Sequence, residues 1–203
     1  SDPSPFISFL LQKMCSFLVQ IVYGVVCLAA TAMTVVAIFT PGWTTYSFND
    51  YEPISQGILP FTCASPAYKN NQSPVFNWSD CTTWFNNLPW TEKVIVACMC
   101  IGLAFQVVAF VWNIISICAC CCKKYILHPL SVFTLLAVIF LAIAVIMYAI
   151  FDNQYIEFVD PSKPIDFTME IGFSFWLACG ALALNVINMI VSSAALCCAK
   201  GCC

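Results

Sequence analysis

Residues 130–151, LSVFTLLAVIFLAIAVIMYAIF, decide the fold of this chain. The stretch contains no charged side chain, and a helix of this length crosses a hydrocarbon core about 30 Å thick. In lipid the backbone must satisfy its own hydrogen bonds, so a spanning segment is either a helix or part of a closed barrel. Barrel strands alternate apolar and polar residues, and this stretch does not. It therefore predicts a transmembrane helix.

Three further segments have the same character, at residues 15–39, 93–119 and 171–196. Apart from Lys93 at the edge of the second, they contain no Asp, Glu, Lys or His. The sequence thus predicts an all-α membrane protein with four transmembrane helices packed as a left-handed bundle. The first segment could instead be a cleaved signal peptide, but it exceeds the usual apolar length of such a peptide, and Thr40-Pro41-Gly42-Trp43 is typical of a helix end. We expect this helix to be retained.

The composition of the whole chain agrees with this fold class. Of its 203 residues, 62% are hydrophobic and only 8% are charged, whereas a soluble domain has about 25% charged residues. The chain has no Arg and a net charge of −3, so it lacks the basic surface that nucleic-acid binding requires. A soluble enzyme, a nucleic-acid-binding protein and a disordered chain are all disfavoured.

The lysines predict the orientation, because cytoplasmic loops carry an excess of positive charge close to the membrane. Four lysines flank the predicted spans on one side, and three lie on the other, together with most of the acidic residues. The first group is Lys13, Lys123, Lys124 and Lys200. This places the N-terminus (1–14), a short loop (120–129) and the C-terminus (197–203) in the cytoplasm. Residues 40–92 and 152–170 then form extracellular loops.

The first extracellular loop is long enough to fold and is rich in aromatic residues. Strand-like patterns occur at Trp43–Phe48, Ile58–Cys63 and Val75–Phe85, and Tyr155–Val159 in the second loop alternates in the same way. We expect a small extracellular antiparallel β-sheet formed by both loops, with the first loop β-rich. The alternative is an interfacial aromatic belt, which suits Trp43 and Trp90 because they adjoin helix ends.

Two of the fifteen cysteines lie outside the membrane, and thirteen lie in the predicted helices or on the cytoplasmic side. Cys63 and Cys81 are the two in the predicted extracellular loops. In an oxidising compartment this pair predicts one disulfide, which would stabilise the loop by about 3 kcal/mol. The same loop contains two glycosylation sequons, at Asn71 and Asn77.

Seven of the remaining cysteines cluster at the cytoplasmic membrane edge beside lysines, a pattern typical of palmitoylation. They are Cys120, Cys121, Cys122, Cys197, Cys198, Cys202 and Cys203. Inert thiols are one alternative. A metal site is another, but the cluster lacks the separated CxxC pairs that zinc sites use. We expect no metal and no cofactor other than bound lipids or acyl chains.

The polar residues within the spans are amides rather than catalytic groups. They are Gln20, Gln106, Asn113, Asn185 and Asn188. They could line a polar pore, but interhelical hydrogen bonding is the favoured role, at about 0.6–2 kcal/mol per bond. The spans have no carboxylate pair and no HExxH or GxSxG motif, so we expect no enzymatic activity and no small-molecule substrate.

The extracellular motif resembles that of the claudin superfamily, which includes claudins, epithelial membrane and peripheral myelin proteins, and calcium-channel gamma and stargazin-like subunits. The resemblance lies in Trp43 after the first span, in Gly57-Ile58-Leu59, and in Cys63 and Cys81 within a first loop of about fifty residues. The Gly-Ile-Leu step and the cysteine-rich cytoplasmic edges are most similar to divergent invertebrate, particularly nematode, claudin-like proteins.

This resemblance implies a five-stranded extracellular sheet, anchored by Trp43 and the Gly57–Leu59 step and pinned by the Cys63–Cys81 bond. It also implies a role in protein–protein recognition at the plasma membrane. The first expectation is cell–cell adhesion or a paracellular barrier at cell junctions, by self-association within and between membranes. The alternative is an auxiliary subunit that binds an ion channel or receptor.

Overall fold

Four long helices dominate the computed structural model, which describes residues 5–48, 51–58, 78–118, 128–152 and 167–200. The helices are α1 (Pro5–Phe39), α2 (Trp78–Asn87), α3 (Trp90–Cys118), α4 (His128–Asp152) and α5 (Phe173–Lys200). Helices α1, α3, α4 and α5 each contain a segment long and apolar enough to cross a membrane. The prediction of an all-α protein with four transmembrane helices is confirmed. The left-handed packing of the four stays a prediction.

The first helix is longer than the sequence predicted. It begins at Pro5, ten residues before the predicted start at 15. The membrane-length segment within it, Phe17–Phe39, corresponds to the predicted span. Its end is fixed locally, because the Thr40 amide still donates to the Val36 carbonyl, at 3.0 Å, whereas Pro41 has no N–H to continue the ladder.

A three-stranded antiparallel sheet lies outside the membrane-length segments. Its strands are β1 (Thr44–Phe48), β2 (Tyr51–Gln56) and β3 (Phe167–Ile171), in the order β2-β1-β3. Strand β1 follows the predicted Trp43–Phe48 strand, whereas β2 and β3 were not predicted. Pro53 is tolerated because β2 is an edge strand within this sheet and its register against β1 shifts beside this residue. That the sheet is extracellular stays a prediction.

The predicted strand Val75–Phe85 is wrong over its described part, because residues from Trp78 to Asn87 form helix α2. Lys93 in α3 caps this helix, since its Nζ donates to the Asn86 carbonyl at 2.9 Å. Predicted strand residues 59–63 and 155–159 lie outside the described residues, and Ile58 lies in a bend.

The chain divides into two compact units. The sheet unit comprises Met33–Cys100 and Leu141–Cys179, and therefore holds all three strands. Its interior is mainly apolar and aromatic. The buried side chains of this unit are Ala37, Ile38, Trp43, Ile95, Val96, Cys98, Met99, Leu141, Ala144, Val145, Tyr148, Phe175 and Ala178, with the hydroxyl residues Thr34, Thr44, Thr91 and Ser174.

The helical unit comprises Ser1–Ala32, Ile101–Phe140 and Gly180–Cys203. A small apolar cluster of Tyr23, Cys27, Ala109 and Leu130 lies in its interior. Polar residues share that interior, and each of them is at most 2% exposed. They are Gln20, Gln106, Asn113, Ser116, Thr134, Asn185, Asn188 and Ser192. All five span amides named by the sequence are therefore buried in this one unit.

Several of these polar groups join one helix to another. The Asn188 amide, in the orientation that satisfies both of its ends, donates to the Tyr23 carbonyl at 3.3 Å and accepts from the Cys27 amide at 3.0 Å. Tyr23 also pairs with Thr134, at 2.7 Å. Because Thr134 already donates its proton to the Leu130 carbonyl, at 2.8 Å, the Tyr23 hydroxyl is the donor of that pair.

The interhelical role predicted for the span amides is thus confirmed for Asn188 and Asn113. Asn113 Nδ2 donates to the backbone carbonyl of Gln20, at 3.2 Å. Asn185 differs, because its Nδ2 donates to the Ala181 carbonyl of its own helix, at 2.7 Å. The interhelical bonds of Asn113 and Asn188 hold α1 against α3 and α5 within the helical unit.

Candidate functional site: the base of the sheet

Trp43 lies at the junction between α1 and β1 and is only 1% exposed. Its Nε1 donates to the Ala37 carbonyl, at 2.6 Å, so the ring folds back onto the end of its own helix. The ring packs edge-on against Tyr148, with centroids 4.8 Å apart, and against Phe175, at 6.2 Å. An indole buried in this way satisfies its N–H and contributes its full apolar area. Trp43 therefore fixes where β1 starts.

A hydrogen-bonded clip joins the same junction to the start of α5. The Gly172 amide donates to the Trp43 carbonyl, at 2.8 Å, and the Ser174 amide donates to the Gly42 carbonyl, at 2.9 Å. In return the Gly42 amide donates to Ser174 Oγ, at 3.2 Å. The backbone on either side of Trp43 is thereby bonded to the segment that carries β3 into α5.

Hydroxyl groups complete this clip. Thr40 Oγ1 donates to the Val36 carbonyl, at 2.7 Å, and lies 2.6 Å from Ser174 Oγ. Since the single Thr40 proton is used on Val36, Ser174 is the donor to Thr40 Oγ1. Thr44 Oγ1 pairs with the Tyr148 hydroxyl at 2.5 Å, which joins β1 to α4.

Three glycines allow this close packing, two of them against backbone and one against an aromatic ring. A Cβ at Gly172 would lie 2.1 Å from the Gly42 carbonyl oxygen, and a Cβ at Gly42 would lie 2.2 Å from the Phe173 ring. At Gly57 it would lie 2.9 Å from both the Thr40 carbonyl oxygen and Pro41 Cα. Glycine is the residue that permits such contacts, because it has no side chain to displace.

The groups gathered at this base suit positioning rather than reaction. They are an indole, a phenol, a phenyl ring, hydroxyls and backbone amides, and their polar atoms are engaged with one another at the distances given above. We call this set the Trp43 anchor: Thr40, Gly42, Trp43, Thr44, Tyr148, Gly172, Ser174 and Phe175. It ties strands β1 and β3 to the ends of α1 and α5 and to α4.

Exposed aromatic residues also occur at the helix ends of the sheet unit. Trp90, Phe173 and Trp176 are 57–65% exposed, and Trp90 packs edge-on against Phe151. Such rings are typical of a membrane interface. The belt interpretation suits the exposure of Trp90, but it is wrong for Trp43, which is buried.

The structure brings together two of the residues named by sequence, Trp43 and Gly57, through the Thr40–Gly42 backbone. Ile58 follows in a bend and is half-buried. Several predicted site residues lie outside the described residues: Leu59, Cys63, Asn71, Asn77, Cys120, Cys121, Cys122, Cys202 and Cys203. Cys81 lies in α2, and Cys197 and Cys198 lie in α5, with no side-chain description. The disulfide, glycosylation and palmitoylation assignments stay predictions.

Sequence reasoning missed four members of the anchor: Tyr148, Gly172, Ser174 and Phe175. Of these four, Gly172 had a local signal. Phe167-Thr168-Met169-Glu170-Ile171 alternates as a strand should, and Gly172 then separates it from an apolar helical run. The predicted span began at residue 171 and therefore ran across the boundary between β3 and α5. Tyr148 and Phe175 resemble any other aromatic residue of a span in sequence, so only the fold reveals their contact with Trp43.

A family model described as "Tight junction protein, Claudin-like" matches residues 14–203 of the chain. The match includes the four membrane-length segments, the three strands and every member of the Trp43 anchor. No curated protein matches the chain.

Proposed function

The chain belongs to this claudin-like family of tight junction proteins, and from that membership we propose that it acts in cell–cell adhesion or as a paracellular barrier. The proposed mechanism is protein–protein recognition through the sheet, on the extracellular side, between copies of the chain in the same and in opposing membranes. The family is one of junction proteins rather than enzymes, which agrees with a site built for positioning.

The single observation that supports this mechanism best is the Trp43 anchor. A recognition surface binds with less entropic cost when it is already fixed in its bound shape. The anchor fixes β1 at its first residues through Trp43 and Thr44, and fixes the end of β3 through Gly172. A sheet held at two strands to three helices is a suitable rigid platform for such a surface.

Expression in cultured cells that lack junction strands tests this proposal. We expect continuous strands at cell–cell contacts by freeze-fracture electron microscopy and a rise in electrical resistance across the monolayer. Trp43→Leu should reduce both while the protein still reaches the plasma membrane. Ile146→Leu, at a site exposed on α4, is the matched control and should behave like the wild type.

The same cells distinguish the auxiliary-subunit alternative. Absence of strands at contacts, together with stoichiometric co-purification of one ion channel or receptor, would overturn the adhesion proposal. Recovery of the chain chiefly with further copies of itself would support it.

The orientation is part of the proposal, with both termini in the cytoplasm and the sheet outside. It rests on the lysines at the membrane edges, Lys13, Lys123, Lys124 and Lys200. Loss of a glycan-dependent gel shift in an Asn71→Gln, Asn77→Gln double variant would support it. Antibody access to a C-terminal tag in unpermeabilised cells would contradict it.

A further inference from the structure

Gln20 stands out among the buried groups of the helical unit. Its side chain lies in the membrane-length segment of α1 and is only 1% exposed. Yet neither its Nε2 nor its Oε1 has a hydrogen-bond partner among the described residues. A buried amide without partners is costly, and such groups in folded proteins are usually satisfied by protein or by ordered water.

Asn113 of α3 adds a third unpaired atom close to the same part of α1. Its Nδ2 donates to the Gln20 carbonyl, at 3.2 Å, whereas its Oδ1 has no partner in the described part of the chain. Gly24, one turn along α1, admits this amide, because a Cβ there would lie 2.9 Å from Asn113 Nδ2. The Asn113 amide therefore lies on the surface of α1 between Gln20 and Gly24.

Asn188 and Asn185 of the same unit differ from Gln20 in this respect. Asn188 satisfies both ends on the α1 backbone, and Asn185 donates to Ala181. Gln20 and Asn113 thus bring one unpaired donor and two unpaired acceptors to the same α1–α3 contact.

We propose that Gln20 and Asn113 bind internal water between α1 and α3, within the membrane-spanning part of the chain. Water fits this donor and acceptor set, since it can accept from Gln20 Nε2 while donating to Asn113 Oδ1 and to other acceptors. Buried waters typically make about three such bonds. A cation fits poorly, because it would leave the Nε2 donor unpaired and has only neutral oxygens to bind it.

Side-chain amide NMR of the whole protein in lipid bilayers tests this directly. With ¹⁵N-labelled Gln and Asn, magnetisation transferred from water should reach the Gln20 and Asn113 side-chain amides at short mixing times. Gln20→Met and Asn113→Leu assign the two signals by their disappearance. Asn185, equally buried but bonded within its own helix, is the internal control and should receive no early transfer.

Failure of water transfer to Gln20 would overturn the proposal, because the amide would then be dry or paired directly with another side chain. Transfer equal at Gln20 and Asn185 would overturn it as well, since it would indicate general solvent entry instead of a defined site.

Thermal unfolding in detergent gives an independent test. If water joins Gln20 to Asn113, Gln20→Met leaves Asn113 Oδ1 with a poorly held water and should lower the Tm by roughly 2–4 °C. Val22→Met, at an exposed position of the same helix, is the matched control. An unchanged or raised Tm for Gln20→Met would contradict the proposal, because removing a dry unpaired amide relieves a cost.

Discussion

The sheet unit and the helical unit bury different chemistry. The sheet unit closes around Trp43, Tyr148 and Phe175, whose rings lie 4.8–6.2 Å apart. The helical unit instead buries amides and hydroxyls, and bonds such as Asn113 to Gln20 run between its helices. A cluster of buried aromatic rings therefore distinguishes the sheet unit, and buried side-chain amides distinguish the helical unit.

The surroundings of each unit explain this difference. Between membrane helices there is little hydrophobic driving force, because lipid tails are as apolar as a leucine side chain, so polar and small residues provide the attraction. Trp43 and β1 lie beyond the membrane-length segment of α1. At the end of that segment, burying the Trp43 ring removes apolar area from water and pairs its N–H with the Ala37 carbonyl.

Trp43→Ala should produce the largest loss of stability. Removing a fully buried aromatic ring typically costs about 3–5 kcal/mol, and here the Ala37 carbonyl also loses its donor. Unfolding in a detergent titration measures the loss. Trp176→Ala, which removes an exposed indole from the same unit, should cost far less. Equal losses would contradict the packing role of Trp43.

Gly172→Ala should cause the second-largest loss of stability, about 1–3 kcal/mol. The new Cβ would meet a backbone carbonyl that cannot rotate away. Gly24→Ala in the helical unit is the matched variant. Its Cβ meets the movable Asn113 amide, and alanine favours a helix over glycine by about 1 kcal/mol, so the change should be near neutral. Thermal unfolding of the two variants compares them; a more harmful Gly24→Ala would reverse the expectation.

Asn188→Leu should lower the free energy of unfolding by about 1 kcal/mol, because it removes two hydrogen bonds between α5 and α1. Asn185→Leu removes a bond within α5 alone and should cost less. Parallel unfolding titrations in one detergent give the difference. If Asn185→Leu proved the more damaging, interhelical amide bonding would not be what holds the helical unit.

The smallest expected effects come from removing one tyrosine hydroxyl in each unit. Tyr148→Phe removes the hydroxyl bonded to Thr44 in the sheet unit, and Tyr23→Phe removes the one bonded to Thr134 in the helical unit. Both keep the ring, so each isolates one hydrogen bond. The bond between membrane helices, at Tyr23, should be worth about 0.6 kcal/mol, and the bond from α4 to β1, at Tyr148, about 0.5–1.5 kcal/mol. Double-mutant cycles with Thr44→Val and Thr134→Val measure the coupling. A coupling near zero at both sites would show that neither bond stabilises the protein.

Length and hydropathy predicted the four spans, because twenty or more apolar residues in lipid have few alternatives to a helix. The start of α1 was missed because Gln12 and Lys13 end an apolar run without ending a helix. Most of helix α2 lies in the stretch predicted as a strand, Val75–Phe85, and strand preferences are weak enough for tertiary context to override. Strand β2 was missed because Pro53 disfavours a strand away from an edge.

The candidate site was predictable only in part, because the sequence reveals residues of a local motif but not their distant partners. Trp43 and Gly57 belong to a motif near one point of the chain, and the structure brings both to the Thr40–Gly42 backbone. Tyr148 and Ser174 lie more than a hundred residues away, and one aromatic or hydroxyl in a span gives no sign of a distant partner. The span amides were recognisable because polar residues are rare in lipid-crossing segments.

Hydrogen–deuterium exchange of Trp43→Leu and Asn188→Leu, both in lipid nanodiscs, tests most directly whether the aromatic anchor itself holds the sheet. The reporters are the Gly172 and Ser174 amides, which donate to Trp43 and Gly42. We expect Trp43→Leu to accelerate their exchange about tenfold or more and Asn188→Leu to leave it unchanged. Slow exchange in Trp43→Leu, or equal acceleration by both variants, would contradict the account.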